Sequence, residues 1–247
     1  MQQARSTTLR LVLEYDGTEF RGWARQPGLR TVEGALREAL AAVFPRWDSL
    51  GVAGRTDAGV HATGQVASLD VEGGPPPERV AEALNAELPG DVAVITAAEA
   101  PAGFHARFSA RSRSYRYRVV ARRVPAPLEA KRALWWPRPT DLEALAAAAA
   151  LLPGEHDFRA FTPTETQHEV SRRNVLAAAW ERDDERLDFT ITADGFLRHM
   201  VRTLVGTMLE AGPEAPALIG SLLDGGPRGD AGLTAPPWGL YLERVEY

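Results

Sequence analysis

Nine residues, Gly54-Arg55-Thr56-Asp57-Ala58-Gly59-Val60-His61-Ala62, place one acid between glycines in an otherwise apolar neighbourhood. Thr-Asp-Ala-Gly is first of all a turn, because Asp hydrogen-bonds its own backbone two residues on and Gly permits positive φ. Arg55, two residues earlier, adds a second reading: a carboxylate held near cations stays ionised, and an ionised carboxylate can be a nucleophile. A second stretch, from Phe104 through His105, Arg107, Phe108, Arg111, Arg113, Tyr115 and Arg116 to Tyr117, interleaves cations with aromatic rings. That combination contacts phosphates while stacking on unpaired bases. It is equally the pattern of a solvated strand with its tyrosines in the core. A third feature is the arginine pair Arg198 and Arg202, four residues apart in an apolar periodic run. A partly buried Arg202 wants a carboxylate. Asp57 is one candidate, and Asp194 and Glu210 are nearer in sequence.

Other chemistries find little support. The five histidines (His61, His105, His156, His168 and His199) show no metal-ligand spacing, and there is neither a P-loop nor a G-x-G-x-x-G after a strand. No metal or nucleotide cofactor is expected, and His156 reads as a loop or core residue. Without cysteine there is no disulfide, thiolate site or thiol catalysis. Length and a hydrophobic content of 45% suit one large domain or two small ones. The net charge of -5 opposes a uniformly basic coat. Yet nine of the residues from Phe104 to Arg132 are Arg or Lys, against Glu129 as the one acid, so local sign matters more than the total. Met1 to Thr8 is polar, and the Ala/Leu run from Ala144 to Leu152 is far short of the roughly 20 residues of a membrane span. A soluble, cytoplasmic protein is expected.

The elements that must position these residues follow from periodicity. Leu9 to Tyr15 alternates as a strand and closes on Asp16-Gly17. A helix capped by Thr31 ends near Pro45. Ser49 to Ala53 is a short strand running into the Gly54 turn, and Val60 to Val71 is extended, with Gln65 inside it. Glu78 to Leu88 is a helix and Val92 to Ala97 a strand. Arg113 to Val120 alternates Tyr115 and Tyr117 against Arg116 and Arg118. Asp141 to Leu152 is an Ala-rich helix, and Val175 to Trp180 and Leu187 to Ile191 are strands. Gly195 to Ala211 has the strongest helical period. A short helix near Ala217 to Leu223 and a closing strand from Leu240 to Val245 complete the chain. Strands and helices recur in both halves, which divide near Pro101 to His105. The expectation is an α+β fold: two similar lobes, 1–103 and 104–247, sharing a large, mainly antiparallel sheet with helices packed on it and a catalytic cleft between the lobes.

Taken together, the blocks resemble the TruA-type tRNA pseudouridine synthases over nearly the whole chain. The resemblance rests on Tyr15-Asp16-Gly17-Thr18 with Gly22-Trp23 and Gln26-Pro27, the Gly54 to Ala62 block, and Phe104-His105-Ala106-Arg107 with Tyr115-Arg116-Tyr117. It continues in His156-Asp157-Phe158, in Phe196-Leu197 with Met200-Val201-Arg202 and Val205-Gly206, and in Gly239-Leu240-Tyr241-Leu242. It implies that Asp57 matches the nucleophile, Tyr115 the active-site tyrosine, Arg202 the arginine paired with the aspartate, and Leu242 an apolar wall. Arg55 would help keep Asp57 ionised, and Arg107 and Arg111 would hold the RNA backbone. The implied reaction isomerises uridine to pseudouridine in the anticodon stem-loop of tRNA, at positions 38, 39 and 40, in a homodimer and with no cofactor. Arg198-His199 departs from the family, where Tyr-Asn is more frequent. The rival readings are a non-catalytic RNA-binding module and a glycoside hydrolase, the latter normally needing two facing carboxylates.

Overall fold

The computed structural model describes residues 6–165 and 170–247. Met1 to Arg5 and His168 lie outside the described residues. The chain forms two compact units: Met1–Arg111 with Leu242–Tyr247, and Ser112–Tyr241.

The first unit contains β1 (Thr7–Tyr15), α1 (Val32–Val43), β2 (Arg46–Val52), β3 (His61–Glu72), α2 (Pro77–Glu87) and β4 (Val92–Glu99). β1 lies between β3 and β4, antiparallel to both, and β2 pairs antiparallel with β3. Leu9, Leu11, Leu13 and Tyr15 are buried, as their alternation predicts, because one face of the strand carries the core. α1 begins where Thr31 accepts from the Gly34 N–H and buries Leu36, Ala39 and Leu40. α2 begins with Pro77, whose ring suits a first helical position that needs no N–H. In β2 the register shifts between Asp48 and Gly51, where Ser49 takes φ 54°, a bulge that strand propensity does not reveal.

The second unit holds β5 (Ser112–Val120), β6 (Leu134–Trp135), α3 (Leu142–Ala149), β7 (Gly154–Asp157), β8 (Arg172–Asp183), β9 (Arg186–Ala193), α4 (Met200–Ala211) and α5 (Ala215–Leu223). β5, β9, β8 and β7 pair antiparallel in that order, and the two-residue β6 lies parallel to β5. β10 (Leu240–Glu246) closes the chain, and the full sheet order is β4-β1-β3-β10-β5-β9-β8-β7. The fold is therefore α+β, with a ten-stranded, mainly antiparallel sheet among the described residues. Among the described residues no helix is long and apolar enough to cross a membrane.

Two local expectations change. The helix read from Gly195 starts only at Met200, because His199 adopts φ 63° and ψ −2° and breaks the helical run. Leu197 still lies buried, and its carbonyl accepts from the Met200 N–H in a tight turn, so apolar spacing of three to four mimics one further helical turn. Arg198 consequently precedes the helix that carries Arg202. His156 is on a strand, β7, with its ring Nε2 3.2 Å from the Pro153 carbonyl oxygen. Gly154-Glu155-His156-Asp157 has no apolar alternation, and only its backbone pairing with β8 makes it a strand.

Candidate active site

Asp57 stands half-buried on the irregular loop between β2 and β3. The acid's own turn is closed by Val60 N–H donating to the Asp57 carbonyl at 3.2 Å, with Gly59 at φ 79°. Beneath it lies a buried polar strut. Gln65, 0% exposed on β3, donates through Nε2 to the Gly54 carbonyl at 2.7 Å and to the Tyr15 hydroxyl at 3.3 Å. Its Oε1 accepts from the Val66 N–H at 3.1 Å, so both ends of the amide are used. The Tyr15 hydroxyl meets Thr56 Oγ1 at 2.7 Å. Burial pushes the Tyr15 phenol up to about 12, while its bonds to Thr56 and Gln65 act the other way. These side chains fix the loop on both sides of Arg55.

Gly22 closes on the same loop from above. Trp23 N–H donates to the Thr56 carbonyl at 3.0 Å, and a Cβ added to Gly22 would stand 2.9 Å from that oxygen and 3.3 Å from the Asp57 carbonyl carbon. Gly22 also has φ 95°, so this approach is open to glycine alone. At the loop's far end, buried His61 accepts the Gly17 N–H on Nδ1 at 3.1 Å, with an Asp16 carboxylate oxygen also 3.1 Å from that nitrogen. Sequence reading missed these supports, although the polar Gln65 inside an apolar strand was a visible signal.

Arg55 is exposed, and its positive charge is one of the influences that hold the Glu33 carboxyl low. Burial works against that lowering, which is carried mainly by the Arg25 N–H and by Arg37. Arg107 and Arg111 are exposed on the chain segment after β4. This segment joins the Asp57 loop through a small shared core of Ala53, Val66 and Ala106, against which Phe104, Val245 and Tyr247 pack. Ala53 immediately precedes the Gly54 block and Ala106 immediately precedes Arg107. Leu242, fully buried on β10, belongs to the same unit.

In the second unit Tyr115 lies on β5 opposite Ile191 of β9, 9% exposed, with Phe196 edge-on at 4.9 Å between ring centroids. Arg202 projects from the first turn of α4, half-buried. Its Nε donates to the Ala235 carbonyl at 2.7 Å, while the Ala235 N–H donates back to the Arg202 carbonyl at 3.0 Å. The two carboxylates nearest in sequence serve backbone groups instead: Asp194 accepts from Asn174 N–H, and Glu210 from Leu233 N–H. Thr207 accepts from Gly232 N–H, and Thr203 meets Thr234. A strap from Gly232 to Ala235 thus runs along α4 and fixes one edge of the Arg202 guanidinium. Tyr117 ties the strap to β5 by donating to the Pro236 carbonyl at 2.7 Å. Its burial raises the phenol pKa, and the Arg202 charge partly opposes that rise.

Asp57, Arg55, Arg107, Arg111 and Leu242 therefore lie in the first unit, and Tyr115 and Arg202 in the second. Among the described residues no group of three or more His, Cys, Asp or Glu could hold a metal ion. The first unit offers a carboxylate on a fixed loop, and the second offers an oriented guanidinium and an aromatic ring.

A family model described as tRNA pseudouridine synthase matches residues 11–109 and 148–247. Asp57, Arg107, Arg202 and Leu242 fall within the matched segments, and Arg111 and Tyr115 fall between them. The chain is 42% identical over 244 residues to a tRNA pseudouridine synthase A of Moorella thermoacetica, covering 97% of this chain and 99% of that protein. Proteins of the same name from Paramagnetospirillum magneticum (42% identity, 96% of this chain and 94% of that one) and Caldicellulosiruptor bescii (37%, 96% and 98%) are similar over comparable lengths.

Proposed function

The chain belongs to the tRNA pseudouridine synthase family, an isomerase family, and from that premise we propose that Asp57 is its nucleophile and the anticodon stem-loop its target, at positions 38, 39 and 40. The observation that carries the reading is the loop itself. Tyr15, Thr56, Gln65 and Gly22 hold a half-buried acid on a fixed backbone rather than on a mobile tip.

Isomerisation breaks the C1′–N1 bond, turns the uracil and joins C1′ to C5. The C5 proton leaves to solvent and N1 gains one, so composition and oxidation state are conserved. A carboxylate supplies what this requires, a nucleophile that forms and later releases one covalent bond. In this reading Arg202, whose Nε the strap engages, pairs with Asp57 and keeps it ionised. Tyr115 lies along the uracil, and Leu242 excludes water. The target must leave its stack, which costs a few kcal/mol, and Arg107 and Arg111 offset this by holding phosphates. The working unit is a homodimer in the cytoplasm.

Pseudouridine mapping on transcript tRNA tests reaction and position together. Modification confined to positions 38 to 40 is expected. Modification elsewhere, or free uracil released without pseudouridine, contradicts the reading. Sedimentation of the native chain is expected to give twice the protomer mass.

A further inference from the structure

The segment between β4 and β5 carries a feature that the reaction chemistry leaves unused. Phe108 is 78% exposed, although it sits in a tightly fixed loop. Ala106 N–H donates to Ser68 Oγ and His105 N–H to Ser109 Oγ, both at 3.0 Å. His105 Nδ1 accepts from the N–H groups of Arg107 at 3.1 Å and Phe108 at 3.4 Å. The Tyr247 hydroxyl donates to the Ala106 carbonyl at 2.9 Å, and Arg111 N–H to the Glu246 carbonyl at 2.8 Å. The backbone on both sides of Phe108 is thereby held, and the ring stays in water.

Its surroundings indicate a ligand class. The His105 imidazole packs against one side, with ring centroids 4.5 Å apart, and the Arg107 guanidinium carbon is 5.6 Å from the Phe108 centroid. Arg107 and Arg111 are both exposed, so the loop presents a lone ring flanked by positive charge rather than an apolar patch. A preordered aromatic face beside guanidinium groups matches an unpaired nucleotide, whose base stacks while its phosphate meets the cations. The shared core of Ala53 and Ala106 places this loop on the same support as the Asp57 loop.

We propose that Phe108 is a stacking platform for an unpaired base of the RNA substrate, distinct from the uridine that reacts. The inference rests on the tRNA reading above and adds a recognition residue to it. Removing a base–aromatic stack weakens binding by about tenfold. Phe108→Ala should raise the Kd for transcript tRNA by that factor, Phe108→Leu should behave like Phe108→Ala, and Phe108→Trp should bind like the native chain. Because no charge is removed, the dependence of Kd on salt should keep its native slope in all three. Native affinity in Phe108→Ala, full recovery in Phe108→Leu, or a shift from dimer to monomer on sedimentation of Phe108→Ala would overturn the platform. Pseudouridine formation by the native chain is measured alongside. If the native chain modifies tRNA while Phe108→Ala binds normally, the platform fails and the enzymatic reading stands; if the native chain forms no pseudouridine, that reading fails first.

Discussion

Gly22 shows how one missing Cβ lets two loops close on each other around Asp57. The glycine combines φ 95° with an approach of 2.9 Å to the Thr56 carbonyl, so any side chain meets strain and a clash at once. Gly22→Ala should destabilise the first unit by roughly 1–3 kcal/mol. It should also lower single-turnover pseudouridine formation more than tRNA affinity, because the Asp57 loop has to move. Thermal melting with single-turnover kinetics checks both. Gln65 acts from below, and Gln65→Leu leaves the Gly54 carbonyl and the Val66 N–H without their buried partner. A loss of about 1–3 kcal/mol is expected from denaturant titration. The position of Asp57 on a loop between two strands was legible in the sequence, since its block reads as a turn. Tyr15 and Thr56 were not, because their meeting joins residues from β1 and a loop that no local spacing relates.

Elements with strict alternation were read correctly from sequence, and elements defined by backbone pairing alone were not. β1 buries every second side chain from Leu9 to Tyr15, and β5 from Tyr115 to Val119, so Tyr115 and Tyr117 were placed on a strand with Arg116 and Arg118 on the other side. β7 and β6 are short strands without apolar alternation, and only hydrogen bonding to β8 and β5 reveals them. α4 was legible in its interior and misjudged at its start, where His199 in the left-handed region replaces the expected helical turn. The strap on α4 was equally hidden, because Gly232 to Ala235 reads as plain loop. Thr207→Val keeps the side-chain volume but removes the acceptor of Gly232 N–H. It should cost about 1–3 kcal/mol of stability, read by denaturant titration. Turnover should fall with it while tRNA binding stays native, since in the proposed reading the strap acts by positioning Arg202.

Charge organises the whole molecule. The chain carries a net charge of -5, yet its Phe104 to Arg132 stretch is strongly basic, so attraction to RNA should be local and screened by salt. Arg107→Gln should weaken tRNA binding and reduce the log–log salt slope by about one, measured by binding titrations across ionic strength. Alkaline stability reports on both units. Tyr15 is pushed up to about 12 and Tyr117 is also raised, each chiefly by burial, so the folded chain keeps protons that the unfolded chain gives up from about pH 10. Stability is therefore intact below about pH 10 and falls as pH rises above it, through about 12 for Tyr15. Tyr15→Phe and Tyr117→Phe should each flatten part of that fall in unfolding curves taken at successive pH values.

The central claim is that the Asp57 carboxylate carries out the isomerisation, and tritium release tests it most directly. In tRNA labelled with tritium at uridine C5, formation of the C1′–C5 bond sends the label to water. The native chain should release it, and Asp57→Asn should bind the same tRNA with native affinity while releasing none above background. Equal release by the two proteins would contradict the account.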